Sequence, residues 1–144
     1  MRSLLDVNVL LALTDSRNVH HQKARAWRLR SMSDGWATCP LTQNGFLRVS
    51  SQPGYSTPIP IADSIRILAQ MVARPDHSFW PDSISLLDDG LIDYSRLLGP
   101  RQLTDVYLLA LAFYHGGRFV TFDRGISLKA VRGASAKHLE LIGS

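Results

Sequence analysis

The chain has one cysteine, Cys39, so no disulfide can form within it, and neither a disulfide scaffold nor a cysteine-rich zinc site fits. A reducing cytoplasm is the expected setting. Long apolar runs are also missing: Val106 to Tyr114 is the longest, far short of the roughly 20 residues that span a bilayer. At the amino terminus, Met1-Arg2-Ser3-Leu4-Leu5 meets Asp6 before a secretory apolar segment can build. No membrane association is expected. Glutamate is nearly absent, Glu140 being the only one, so acid chemistry falls to aspartate. The histidines, His20, His21, His77, His115 and His138, are scattered over different segments, which argues against a histidine metal site.

What is present suits one globular domain over residues 1–144: 45% of the chain is hydrophobic, enough for one sizeable core, and no repeat or low-complexity tract divides it. The net charge of +4 and the 13 arginines among 16 basic residues suggest an anionic partner, because the guanidinium fork pairs well with phosphate. An arginine-rich genome would produce the same bias. Arg25, Arg28, Arg30, Arg124 and Lys129 are the leading candidates for phosphate contact, and a solvated basic face is the plain alternative for all five.

Short apolar runs bounded by turn formers predict strands at Ser3 to Leu5, Trp36 to Thr38, His77 to Trp80, Phe119 to Phe122 and Leu139 to Ile142. Between them, helices are predicted over Val7 to Leu13, His20 to Arg30, Leu41 to Val49, Asp63 to Ala73 with Asp63 as cap, Ile84 to Leu91, and Val106 to Tyr114. A short basic helix is expected between Gly125 and Lys129, and the proline-rich stretch Ser50 to Pro60 reads as a loop. Trp27, Trp36 and Trp80 sit in apolar contexts and are expected in the core. Alternating strands and helices indicate an α/β fold with a mainly parallel sheet.

In open parallel sheets, ligands sit beyond the carboxyl ends of the strands. Asp6 and Asp123 fall there, and Asp105 opens the most apolar helix, where the macrodipole favours an ionised carboxylate. Three converging carboxylates repel one another unless a cation joins them, and hard oxygen donors suit Mg²⁺ or Mn²⁺. Such an ion would activate water against a phosphodiester. Each acid has an ordinary alternative as well: Asp6 and Asp105 as helix caps, Asp123 as a turn former before Gly125. Periodicity does not choose between these readings.

An ordered set of motifs does bear on the choice. Leu4-Leu5-Asp6-Val7-Asn8-Val9-Leu10-Leu11-Ala12-Leu13 resembles the opening strand and helix of PIN-domain nucleases. Leu103-Thr104-Asp105-Val106-Tyr107-Leu108-Leu109-Ala110 and Gly117-Arg118-Phe119-Val120-Thr121-Phe122-Asp123-Arg124-Gly125 resemble their third and fourth acidic motifs. Three middle segments, around His20-His21 and Trp27, from Cys39 to Arg48, and Phe79-Trp80-Pro81-Asp82, are similar to one branch, the VapC-type toxins of bacterial toxin-antitoxin operons. The resemblance spans essentially the whole chain. It implies a three-layer α/β/α sandwich, usually dimeric, that cuts RNA with Mg²⁺ or Mn²⁺ and is inhibited by a cognate antitoxin. It also implies that Asp6, Asp105 and Asp123 hold the metal and carry catalysis, with Asn8 and Thr121 supporting them.

At one position the chain departs from that pattern. Gln43 stands where the second acidic motif usually has Glu; it offers a carbonyl oxygen but no charge. A PIN-like module that binds RNA or an antitoxin without cutting is therefore the alternative. A haloacid-dehalogenase-like phosphatase would need a second acid at position 8, where this chain has Asn8, and a receiver domain would need paired acids beside the first strand.

Overall fold

The computed structural model describes residues 1–143, the side chain of residue 32 excepted. Five parallel strands, β1 (Ser3–Leu5), β2 (Trp36–Thr38), β3 (His77–Phe79), β4 (Arg118–Thr121) and β5 (Leu139–Leu141), form one sheet in the order β3-β2-β1-β4-β5. Five helices cover its faces: α1 (Val7–Thr14), α2 (His21–Ser31), α3 (Pro40–Ser51), α4 (Ile61–Val72) and α5 (Leu103–Tyr114). The result is the expected α/β/α sandwich.

The two cores follow from the period of two along each strand. Leu4, Ala37 and Phe119 point to the face covered by α5, where they meet Leu108, Leu109 and Leu111. Leu5, Trp36 and Val120 point to the other face and pack with Val9, Leu10, Trp27, Phe46 and Leu68 from α1 to α4. All three tryptophans are buried, as the apolar context predicts.

Helix α5 buries six of its twelve residues, consistent with a sequence apolar nearly all round. It stops at Gly116, whose φ of +72° is the left-handed conformation that favours glycine, and the Gly117 N–H then bonds the Ala112 carbonyl at 2.8 Å. Gly117 is required by close approach: a Cβ there would lie 2.5 Å from the Arg2 carbonyl oxygen and 2.6 Å from the Trp80 ring.

Three local expectations are corrected. Helix α4 starts at Ile61 with Pro60 as its cap, so Asp63 lies inside the first turn and pairs with Arg66 at 2.8 Å. The segment 84–91 forms turns and no helix, because Ser85 and Asp88 spend their side-chain oxygens on the N–H groups of Leu87 and Gly90. In place of the short helix expected between Gly125 and Lys129, a single 3₁₀ turn forms at Leu128–Ala130.

For the site, the position of β1 matters most. It is the central strand, and the chain builds the sheet outward from it on one side through β2 and β3 and on the other through β4 and β5. This is the switch point at which the carboxyl ends of neighbouring strands leave room for a ligand.

Candidate metal centre

Asp6 leaves β1 at that switch point and caps α1. Its Oδ1 accepts the Val7 N–H at 2.7 Å and its Oδ2 accepts the Thr121 hydroxyl at 2.6 Å. Capping and clustering, alternatives in the sequence, are here combined in one carboxylate. Thr121 ends β4, and its oxygen in turn accepts the Asp123 N–H at 3.0 Å and the Asn8 amide at 3.4 Å. Asn8 Oδ1 receives the Phe122 N–H at 3.4 Å, so α1 is tied to the exit of β4 at two points. Asp105 approaches from the first turn of α5, and Asp123 stands exposed two residues beyond β4.

The three aspartates each present a carboxylate oxygen within 4.8 Å of the others. Burial pushes the Asp6 carboxyl above its usual range against the pull of its two donors, and the nearby Asp123 charge adds to the rise. Asp105 is pushed up to about 6, first by burial and then by the Asp6 and Asp123 charges. Among the described residues, no Lys, Arg or His forms an ion pair with any of the three. A concentrated negative site of hard oxygen donors, none of them ion-paired among the described residues, fits a divalent ion.

Gln43 extends from the first turn of α3, and its Nε2 donates to the Thr38 hydroxyl at 3.0 Å; that hydroxyl also bonds His77 Nε2 at 2.8 Å. Burial holds His77 below its ordinary pKa, which suits a neutral ring in this chain of bonds. Two other motif residues, Trp80 and Cys39, are explained by packing. Trp80 stacks on His115 with ring centroids 4.6 Å apart, and Cys39 is buried at the start of α3, where its N–H bonds the Thr42 hydroxyl at 3.0 Å.

Sequence reasoning missed a cavity of about 350 Å³ beside Asp123, lined by Asn8, His20, Lys23, Phe122 and Arg124 among others. Two signals hint at it: Arg124, a candidate for phosphate contact, and the position of Phe122 at a strand exit, on the ligand-bearing edge.

The description "PIN domain" matches residues 3–132 of the chain. Ribonuclease VapC44 of Mycobacterium tuberculosis is 55% identical over 139 residues, covering 96% of this chain and 98% of its own. Ribonuclease VapC38 of the same organism is 46% identical over 125 residues, 86% of each chain. Among solved structures, VapBC2 from Rickettsia felis bound to a DNA fragment from their promoter aligns with a TM-score of 0.60 over 99% of both chains at 14% identity. Mycobacterium tuberculosis VapC20, described as a Sarcin-Ricin loop cleaving toxin, aligns with a TM-score of 0.60 at 11% identity, covering 85% of this chain and 91% of its own. The last two show likeness of fold alone. On the domain match and the two close relatives, the chain belongs to the PIN-domain family, in its VapC-type branch.

Proposed function

We propose that this chain is a divalent-metal-dependent endoribonuclease, the toxin of a type II toxin-antitoxin module. The observation that carries the reading is the set of three aspartate oxygens within 4.8 Å of one another, unpaired with any cationic side chain among the described residues, at the switch point of a PIN fold. The names of the relatives, Ribonuclease VapC44 and Ribonuclease VapC38, support it.

Asp6, Asp105 and Asp123 would hold Mg²⁺ or Mn²⁺. When bound, the ion supplies Lewis acidity toward the phosphodiester and makes water a better nucleophile. Asp6 is oriented by two hydrogen bonds and is the fixed ligand. Burial, then the Asp6 and Asp123 charges, favour the protonated form of Asp105, and a bound cation would favour its carboxylate. Asn8 and Thr121 hold the ligands in register. Gln43 keeps its Nε2 on Thr38, and its Oε1, if turned to the site, would be a neutral acceptor. The partners are RNA, a cognate antitoxin and a second copy of the chain in a cytoplasmic homodimer.

Gln43 in place of an acid favours one other reading, a module that binds RNA or antitoxin without cutting. A fluorogenic RNA cleavage assay separates the two. Cleavage is expected with Mg²⁺ or Mn²⁺ and is lost in EDTA and in Asp6→Asn and Asp105→Asn. No cleavage of any RNA under these conditions, or full cleavage in EDTA, overturns the nuclease.

A further inference from the structure

We infer that the cavity between the exit of β4 and the start of α2 is a nucleotide subsite for the RNA strand. A base stacks on the His20–Phe122 pair, and Lys23 and Arg124 hold the adjoining phosphate. The inference rests on the proposed nuclease reading and adds to it where a neighbouring nucleotide sits.

Four observations converge. The cavity, about 350 Å³, lies in the range of small-ligand sites. Asp123 belongs both to its lining and to the carboxylate cluster, so a strand whose phosphodiester reaches the cluster places a neighbouring nucleotide here.

Next, the aromatic pair is prearranged. His20 is exposed yet lies nearly parallel on the half-buried Phe122, with centroids 4.5 Å apart and an interplanar angle of 22°. Both partners are held by their backbones: the His20 N–H bonds Asn18 Oδ1 at 2.9 Å, and the Phe122 N–H bonds Asn8 Oδ1. The His21 ring, bonded to the Ala12 carbonyl at 2.7 Å, anchors the next residue. Flat rings already stacked before binding lose little entropy when a base joins them, and stacking accepts any base.

The third observation is charge. Lys23 and Arg124 both converge on Gly143. Arg124 Nη2 bonds its carbonyl at 3.4 Å, and a Cβ at Gly143 would lie 3.4 Å from Lys23 Nζ. Neither cation forms an ion pair among the described residues. Two like charges brought to one rim, neither ion-paired among the described residues, form a place for an anion. Finally, Gly143 has φ +83°, a conformation open to glycine, and the missing side chain leaves Lys23 room at the rim.

The chemistry selects a single-stranded oligonucleotide, RNA under the nuclease reading, since aromatic faces and two cations line the cavity that shares Asp123 with the acidic cluster. The test measures binding and cleavage separately. In EDTA, fluorescence anisotropy follows single-stranded oligoribonucleotides bound to Asp105→Asn protein, intact or with one abasic position scanned along the strand. One position is expected where losing the base weakens binding about tenfold. His20→Ala and Phe122→Leu should each weaken binding of the intact strand and remove that penalty. Lys23→Gln and Arg124→Gln should each reduce the slope of log affinity against log salt by about 0.7, as for one phosphate on a single strand. Arg66→Gln, which removes the same charge from the exposed face of α4, should not. In otherwise wild-type protein, His20→Ala should raise KM with little change in kcat.

A uniform abasic profile, a penalty that survives both ring substitutions, or an equal loss of slope in Arg66→Gln overturns the subsite. Wild-type cleavage is read independently: a chain that binds as described but never cuts retains the subsite and defeats the nuclease. One that cuts with metal while His20→Ala leaves KM and affinity unchanged does the reverse.

Discussion

Thr121, the last residue of β4, donates its hydroxyl proton to Asp6 Oδ2 across 2.6 Å, joining residues 115 positions apart in the chain. The same oxygen accepts the Asp123 N–H, so one hydroxyl sets the orientation of one acid and the backbone of another. Supporting contacts of this kind often govern metal affinity nearly as strongly as the ligands themselves.

Thr121→Val removes the hydroxyl while leaving a similar β-branched shape in a fully buried position. Asp6 loses one of its two donors and the Asp123 N–H its acceptor. Calorimetric titration of Mn²⁺ should show affinity reduced by about tenfold or more, whereas Thr121→Ser should retain most of it. Equal binding by Thr121→Val would show that Asp6 needs no such support.

Asp105 makes the site pH dependent. Its pKa without a bound ion is pushed up to about 6, above the ordinary aspartate value of 3.8, so the folded chain holds this proton more tightly than the unfolded chain. The protonated group therefore stabilises the metal-free fold fully below about pH 4, and that contribution disappears as the pH rises through about 6. Thermal melts of metal-free protein should show this loss over that window, and Asp105→Asn should remove it and raise the midpoint at neutral pH. Divalent-ion affinity should run the opposite way, falling below about pH 6 with proton uptake on release. A metal affinity independent of pH between about 5 and 7.5 would contradict the assignment.

Gln43→Glu places a fourth carboxylate on α3 at the position where PIN nucleases carry an acid. With Oε1 turned to the site, Mn²⁺ binding should tighten about tenfold, or 1.4 kcal/mol. The substitution also replaces the donor to Thr38 by an acceptor, which that hydroxyl can match by reversing its proton. Unchanged affinity would confine Gln43 to the Thr38–His77 chain.

Glu140, the sole glutamate, has no part in the acidic cluster. It lies on β5, accepts the Trp27 indole N–H at 2.9 Å and pairs with Arg118 at 3.5 Å. Trp27→Phe leaves the carboxylate without that donor and shrinks a fully buried side chain. Urea unfolding should show a loss of about 2 kcal/mol or more, with RNA cleavage retained at temperatures where the variant is folded.

Much of this protein is written locally. The strands Ser3–Leu5 and Trp36–Thr38 and the helix expected over Val106 to Tyr114, which starts three residues earlier at Leu103, are legible because apolar period and bounding turn formers act over a few residues. Asp6, Asp105 and Asp123 stand out because they follow strand ends or open an apolar helix, and the ordered motifs around them suffice to indicate the family. Local reasoning failed where local rules compete. Pro60 took the cap expected of Asp63, and the Ser85 and Asp88 side chains captured backbone N–H groups that a helix at 84–91 would have needed. Only the tertiary structure decided that three distant aspartates come within 4.8 Å, that Thr121 reaches Asp6, and that His20 lies on Phe122. The reason is the sheet order: placing β1 between β2 and β4 brings together residues more than a hundred positions apart, and the periodicity of each segment carries no record of which strands become neighbours.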